Sequence, residues 1–442
     1  MNLLEICNTG LKEAKKLGAE EAEIYITSSK HLEVNIEKND IQLARSQVED
    51  GVGIRVFKNN GLGFASISDF GAIKQGCSRA VELARQSPKD PYNKLPEPIE
   101  IKKVPNLYDP KSENFSTKLA LEQAISMLET ARSYDPRITV DRGMFQAEIT
   151  HEAIMNSSGV QAEETSSVFV YYIMGMAVDG KKVSSFAYEF DGIRFVDEID
   201  VKKCANDFAR KVIDSLGATK GESFKGQVIL SPESVGSLIA SAMLFSVNAN
   251  NLQKGMSRWK GKLGSQVASS SLTVEDNGLI PGGLGSSAFD REGIPPSPLT
   301  IIEQGKLNAY MYNTYTALKE KRSSTGHAAG GTTSVPGIGP TNFTIKEGET
   351  PKDDLIKGVS QGVLVNRFAG FPNPLTGEFS GAVKGGWLIK NGKLAVPLCE
   401  TLIQGNIYDL FTKISAISKE RRKVMSSLLP WILIDDISVT AG

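Results

Sequence analysis

The sequence predicts an α+β fold in which N-terminal α/β units are followed by a C-terminal domain on a large mixed, mostly antiparallel β-sheet. Three observations predict it. Helical and strand patterns alternate up to about residue 220. A proline-rich run divides that part in two. Beyond about residue 225, glycine-rich loops alternate with short strands and few helices. The expected division is an N-terminal helix–sheet–helix domain (1–87), a connector (88–115), a middle α+β domain (116–220) and a β-rich C-terminal domain (221–442).

Residues 2–17 place Leu3, Leu4, Cys7, Leu11 and Ala14 at helical spacing, and Gly18 closes the helix. Two strands are expected next, Glu21–Ser28 and Leu32–Lys38. Gly53–Phe57 and Leu62–Ser66 flank Asn59-Asn60-Gly61 as a hairpin. A helix over 71–86 uses Ile73, Cys77, Ala80, Val81 and Ala84. Pro88, Pro91, Pro96, Pro98, Pro105 and Pro110 then mark an extended connector, because proline cannot donate to a ladder and breaks helices. The middle unit opens with a helix over 116–133. Strands are expected at Arg137–Ile149, Ala153–Asn156, Gln161–Met174 and Lys182–Phe190, with a turn at Asp179-Gly180, and a helix covers 198–215. Later turn signals are Asn277-Gly278, Gln304-Gly305 and Asn391-Gly392. Long loops are expected at Pro281–Ser287, Ala328–Pro340 and Ala369–Gly381, then a helix over 406–422 and a strand Trp431–Thr440.

Composition narrows the function classes. The chain has 442 residues, is 40% hydrophobic and 23% charged, and carries a formal net charge of −1. A near-neutral balance without a run of like charges gives no electrostatic footprint for nucleic acid. The four cysteines, Cys7, Cys77, Cys204 and Cys399, show no paired spacing. They read as thiols of a reducing compartment. The start carries early charge and no signal-peptide core. The longest uncharged stretch, Ser234–Val247, is too short to span a bilayer. The expectation is a soluble, cytoplasmic protein with no membrane or nucleic-acid partner.

The chemistry-bearing positions are sparse. Ser231 suits an N-cap, Pro232 the first helical position and Glu233 the positive helix end, so a helix starts after the strand ending at Leu230. Its apolar face is Val235, Leu238, Ile239, Ala242 and Met243. His151-Glu152 lies in a strand, where alternation sends the two side chains to opposite faces. The three histidines, His31, His151 and His327, have no mutual ligand spacing. His327 reads as a solvated or loop-capping histidine, with a substrate or interface contact as the alternative. A site built from His327 and Cys399 lacks a third ligand. Asp290-Arg291-Glu292-Gly293 reads as a charged, solvated hairpin. No phosphate-binding loop and no nucleophile elbow is present.

Residues 228–250 resemble the helix that carries a His-Glu-x-x-x-His zinc motif in the TldD branch of the TldD/PmbA metallopeptidase family, also called the modulator of DNA gyrase family. Here the matching positions hold Ala240, Ser241 and Phe245. Gly18–Tyr25, Gly51–Val56, Phe289–Pro295, Gly326 and Gly370–Phe379 extend the resemblance over nearly the whole chain. It implies a heterodimer with an internal peptide-degrading chamber, whose zinc is held by two motif histidines and a late cysteine of the TldD-type chain. This chain has no cysteine in Thr401–Thr440 and thus resembles the PmbA/TldE-type subunit. The resemblance implies no catalytic or metal residue and no cofactor here, zinc in a TldD-type partner, and small or unfolded peptides as substrates. His327, Asn373, Gly377, Asp290 and Arg291 are the candidates for cleft lining or partner contact. Two other readings stay open: a stand-alone metallopeptidase with unusual ligands, and a homodimeric peptide- or protein-binding module.

Overall fold

A computed structural model describes residues 2–441. Helix α1 (Leu3–Lys16) is capped by Asn2, whose Oδ1 accepts the Glu5 N–H at 3.2 Å. Strands β1 (Glu21–Glu37), β2 (Asp40–Lys58) and β3 (Gly61–Ile67) form a meander, closed by α2 (Ile73–Gln86). After the connector come α3 (Thr117–Tyr134), β4 (Ile138–Asn156), β5 (Gln161–Asp179), β6 (Lys182–Val183), β7 (Ala187–Ile193) and α4 (Val201–Asp214). Ser116 caps α3 and Asp200 caps α4 through side-chain oxygens.

All seven strands belong to one sheet, in the order β3-β2-β1-β4-β5-β6, with β7 on β5. β1 pairs with β4 antiparallel from Glu23↔Asn156 to Glu37↔Arg142. The strands before and after the connector are therefore joined in a single layer. Period-2 alternation sorts the faces of β1. Ala22, Ile24, Ile26, Leu32, Val34 and Ile36 enter the clusters packed by the four helices. Glu23 and Tyr25 point the other way, to residues beyond 280.

The expected strand pair Glu21–Ser28 and Leu32–Lys38 is one strand, and so is Arg137–Ile149 with Ala153–Asn156. The joins between the expected strands are polar: Ser28-Ser-Lys-His in the first and Thr150-His-Glu in the second. Inside the sheet they pair across strands instead: Ser28 Oγ donates to Asp50 at 2.6 Å, and Ser29 and Thr150 hydroxyls meet at 2.8 Å. The expected strand Lys182–Phe190 is split into β6 and β7.

The C-terminal part carries a mixed sheet of 14 strands. Near its centre, β9 (Phe224–Leu230), which comes after the short β8 (Thr219–Lys220), lies parallel to Gln361–Val365 and antiparallel to Ser427–Ala441. The expected helix over 406–422 is not formed. Only Ile407–Thr412 is helical, and Ile414–Val424 is a strand that pairs with Ser427–Ala441. Register shifts at Ile414/Ala416 and Ile417/Arg421 break the alternation that would have revealed it. The loop expected at Ala369–Gly381 is a hairpin between Arg367–Gly370 and Glu378–Lys384. Among the described residues, no helix is long and apolar enough to cross a membrane.

Candidate functional site

The helix after β9 begins as its residues dictate. Ser231 Oγ accepts from Ser234 N–H and donates to Asn366 O at 2.6 Å, and Pro232 stands in the first turn. Its next turns depart from the regular helix expected there: Val235–Ala240 is a π-helical stretch, succeeded by the α-helix Ser241–Val247. Such insertions shift the helix register and gather at functional sites. Ala240 is buried, Ser241 Oγ donates back to Ser237 O at 2.6 Å, and Phe245 is half-buried. A zinc helix needs imidazole lone pairs and a carboxylate to take a proton from water. Ala240 and Phe245 offer neither, so these residues do not fit the metal. Among the described residues, no three His, Cys, Asp or Glu side chains are grouped to hold one.

The loop with Asn373 and Gly377 is braced against this helix. Asn373 Oδ1 accepts from Leu375 and Thr376 N–H at 3.0 and 3.2 Å. Gly377 has φ +77°, and a Cβ there would lie 2.5 Å from Asn406 Oδ1. Tyr408 Oη donates to Pro374 O at 2.7 Å and lies 3.3 Å from Ser246 Oγ. Arg258 stacks 5.0 Å over the Tyr408 ring and donates to Leu375 O at 3.1 Å. The braced loop presents Phe371, 94% exposed.

Asp290, Arg291 and His327 form a second, separate cluster, and the solvated readings of both segments are overturned. Asp290, Arg291, Glu292 and His327 are all buried. Arg55 of β2 donates to Glu23 at 2.6 Å and to Glu292 at 2.7 Å, and Arg291 donates to Glu23 at 3.0 Å. The Arg291 guanidinium also lies 3.9 Å over the Tyr25 ring. Glu292 accepts a further bond from Thr314 N–H at 2.8 Å. Asp290 accepts three backbone N–H groups, from Glu292, Ile294 and Ala328. His327 Nε2 lies 3.2 Å from Asp276, and Nδ1 lies 2.9 Å from Thr325 Oγ1. The turn is thus a polar clasp between the N-terminal sheet and the C-terminal domain.

Burial and the nearby Glu292 push the Asp290 carboxyl up to about 7 against its three N–H bonds. Burial opposes the Arg55 charge, but Glu23 and Glu292 more than offset it and raise its pKa. Beside the clasp lies a cleft of about 530 Å³, lined by Arg55, Phe57, Tyr92, Tyr315, Val335 and others.

Sequence reading missed Glu23, Arg55 and Glu292, because charges in strands and turns ordinarily face water. One signal was present. Gly51 and Gly53 sit in a strand, where glycine marks a close backbone approach. A Cβ on Gly51 would collide with Thr332 Oγ1, and one on Gly53 would lie 2.9 Å from Arg291 Nη2.

Three family models match the chain, described as PmbA/TldA metallopeptidase domain 1 (residues 22–84), central domain (108–216) and C-terminal domain (223–441). The chain belongs to the PmbA/TldD metallopeptidase family. It is 28% identical to an uncharacterized protein of Methanocaldococcus jannaschii, covering 96% of this chain and 97% of that one. It is 24% identical to the metalloprotease PmbA homolog of Buchnera aphidicola, over 100% and 98%. It is 25% identical to the metalloprotease TldD homolog of Haemophilus influenzae, over 90% and 85%. Among solved structures, TldE from Thermococcus kodakarensis superposes with a TM-score of 0.89 at 23% identity, over 98% of this chain and 100% of that one. A putative modulator of DNA gyrase from Thermotoga maritima gives 0.88 at 24% identity, over 99% and 100%. The mixed α+β fold expected from the sequence is the fold of these PmbA/TldD relatives.

Proposed function

We propose that this PmbA/TldD-family chain is a non-catalytic, PmbA/TldE-type subunit of a cytoplasmic zinc metallopeptidase complex that degrades or processes small or unfolded peptides. The observation that carries the reading is the helix after β9, where Ala240, Ser241 and Phe245 stand in place of two imidazoles and a carboxylate. On this reading zinc and the bond-breaking chemistry belong to a TldD-type partner. The braced loop around Asn373 and Gly377, packed on the same helix, forms part of the wall facing that partner or the peptide. The buried clasp at Asp290 and Arg291 then holds the domains at a fixed angle, and His327 stiffens the C-terminal side.

The test is co-expression with a paralogue that keeps the His-Glu-x-x-x-His motif. The expected result is a complex that cleaves unstructured peptides, while this chain alone binds no stoichiometric zinc and cleaves none. About one zinc per isolated chain with peptidase activity would overturn the reading in favour of a stand-alone enzyme. A paralogue fully active without this chain would also overturn it.

A further inference from the structure

The middle unit meets the C-terminal domain along a second seam, apart from the clasp. Its floor is a four-membered charge network. Lys211 of α4 lies 2.9 Å from Glu189 of β7 and 2.7 Å from Glu233, at the start of the helix after β9. Arg422 joins the same two carboxylates. Two cations and two carboxylates leave this floor neutral, as burial of charge requires.

A cleft of about 360 Å³ opens beside the network, and its wall carries three more cations, Lys352, Arg367 and Lys384. Among the described residues, none of the three makes an ion pair. Arg367 is half-buried and held in place: Nη2 donates to Phe186 O at 2.8 Å, and the guanidinium lies 5.3 Å over the Tyr188 ring. The turn after Lys384 is pinned from both sides. Gly385 N–H donates to Ser185 Oγ at 3.0 Å, and Gly385 O accepts from Asn366 Nδ2 at 2.6 Å. Lys352 Nζ lies 5.0 Å over the Trp431 ring. Arg210, on the same wall, is neutralised by Asp207 at 2.8 Å. Against the three cations stands Asp214 alone, at the exposed end of α4. The wall therefore holds an excess of positive charge, and a half-buried guanidinium ordinarily finds a carboxylate. The apolar part of the wall includes Trp387 and Leu394, the latter 40% exposed.

We propose that this cleft binds a small phosphate monoester carried on a planar ring, a ligand of the size of a mononucleotide. A phosphate monoester brings a charge of about −1.5 to −2 at pH 7 and three acceptor oxygens. That charge balances three cations set against one carboxylate, whereas a ligand carboxylate would leave one cation over. The free N–H groups of Arg367 form a fork for two of the oxygens, and the lysines supply point charges. Trp387 offers a flat ring a face to lie on. The cleft volume falls within the usual range for small-molecule sites, about 300–1,000 Å³. Cations confined to one cleft, on a chain of net charge −1, suit a small anion and not a nucleic-acid backbone, which needs a continuous basic track. This binding concerns the chain alone and does not depend on the peptidase reading.

The probe is adenosine monophosphate, titrated calorimetrically into the full chain, with adenosine and inorganic phosphate tested separately as its two halves. The nucleotide is expected to bind with a dissociation constant below about 1 mM, and each half at least tenfold more weakly. Lys384 is exposed at a strand end, so Lys384→Glu reverses one charge without touching the core. It should weaken nucleotide binding about tenfold or more, and Arg367→Gln should do the same. Lys384→Arg should retain binding, and Lys12→Glu, on α1 in the N-terminal unit, should leave it unchanged. Far-UV circular dichroism verifies that each variant folds. Absence of nucleotide binding up to ~1 mM would overturn the proposal. So would binding indifferent to both Lys384→Glu and Arg367→Gln, or inorganic phosphate bound as tightly as the nucleotide.

Discussion

Replacing Arg55 by Met keeps the aliphatic stem and removes the charge that joins Glu23 to Glu292. Arg55 is 5% exposed and both carboxylates are fully buried, so neither can be rescued by water. Breaking a buried ion pair by deleting one partner costs about 3–5 kcal/mol, because a buried charge is left uncompensated. Here Glu23 keeps Arg291 and Glu292 keeps the Thr314 N–H, which places the expected loss near the lower end, ~3 kcal/mol. Against a typical stability of about 5–15 kcal/mol, that is a large fraction. The assay is urea unfolding with two probes. The three tryptophans, Trp259, Trp387 and Trp431, all lie in the C-terminal part, whereas circular dichroism reports both sheets. The expected result is a lower midpoint and a separation of the two transitions, as the N-terminal sheet loses its clasp. Adding Glu292→Gln should recover about 1 kcal/mol by removing the stranded charge. As a control, Lys203→Ala deletes an exposed helix pair and should change stability by no more than ~0.5 kcal/mol. A loss under ~1 kcal/mol for Arg55→Met, with coincident transitions, would refute the view that this network joins the domains.

The same geometry sets further expectations. Gly53→Val forces Arg291 and the Thr332 loop away from β2; thermal unfolding should register a loss of about 1–3 kcal/mol, with faster proteolysis at residues 330–335. Asp290 binds its proton more tightly folded, up to about 7, than its ordinary 3.8. The native state therefore holds more protons over that interval, and this group's contribution to stability falls as pH rises through it. Asp290→Asn should flatten the dependence of the urea midpoint on pH between about 4 and 7 while lowering stability at the acid end, since its amide would face the Ala328 N–H. Burial raises the Cys7 and Cys204 thiols to about 12 and Cys77 to about 11, whereas Cys399 is partly exposed. Thiol titration should therefore find only Cys399 in the native protein and all four cysteines in denaturant; fast native labelling of Cys7 would show that its helix opens.

Local chemistry was legible in the sequence wherever a few neighbouring residues decide the outcome. Asn59-Asn60-Gly61 and Asn391-Gly392 make their hairpin turns, with positive φ at Asn60 and Gly392. Ser231-Pro232 starts the helix that was expected there, and Cys7, Cys77 and Cys204 lie buried on helix faces. The side chains at Ala240, Ser241 and Phe245 likewise exclude imidazole chemistry whatever their surroundings.

Residues 406–422 failed because bulges hid a strand whose partner lies across a tight turn at Met425. The proline-rich connector was read as a divide, yet β1 and β4 pair across it residue by residue, since hydrogen bonding between strands is blind to the chain that links them.

Residue order alone was enough for most element types and turns, the family and the absence of ligating side chains on the helix after β9, but not for the strand Ile414–Val424. Which charges face water was settled by packing. Asp290, Arg291 and Glu292 carry the same composition as a solvated turn; the burial of Arg291 and Glu292 depends on Glu23 and Arg55, brought from more than 230 residues away, and that of Asp290 on backbone N–H groups including that of Ala328. A charge can be buried only where an opposite charge and hydrogen bonds meet it, and such a meeting is a property of the fold, not of the segment.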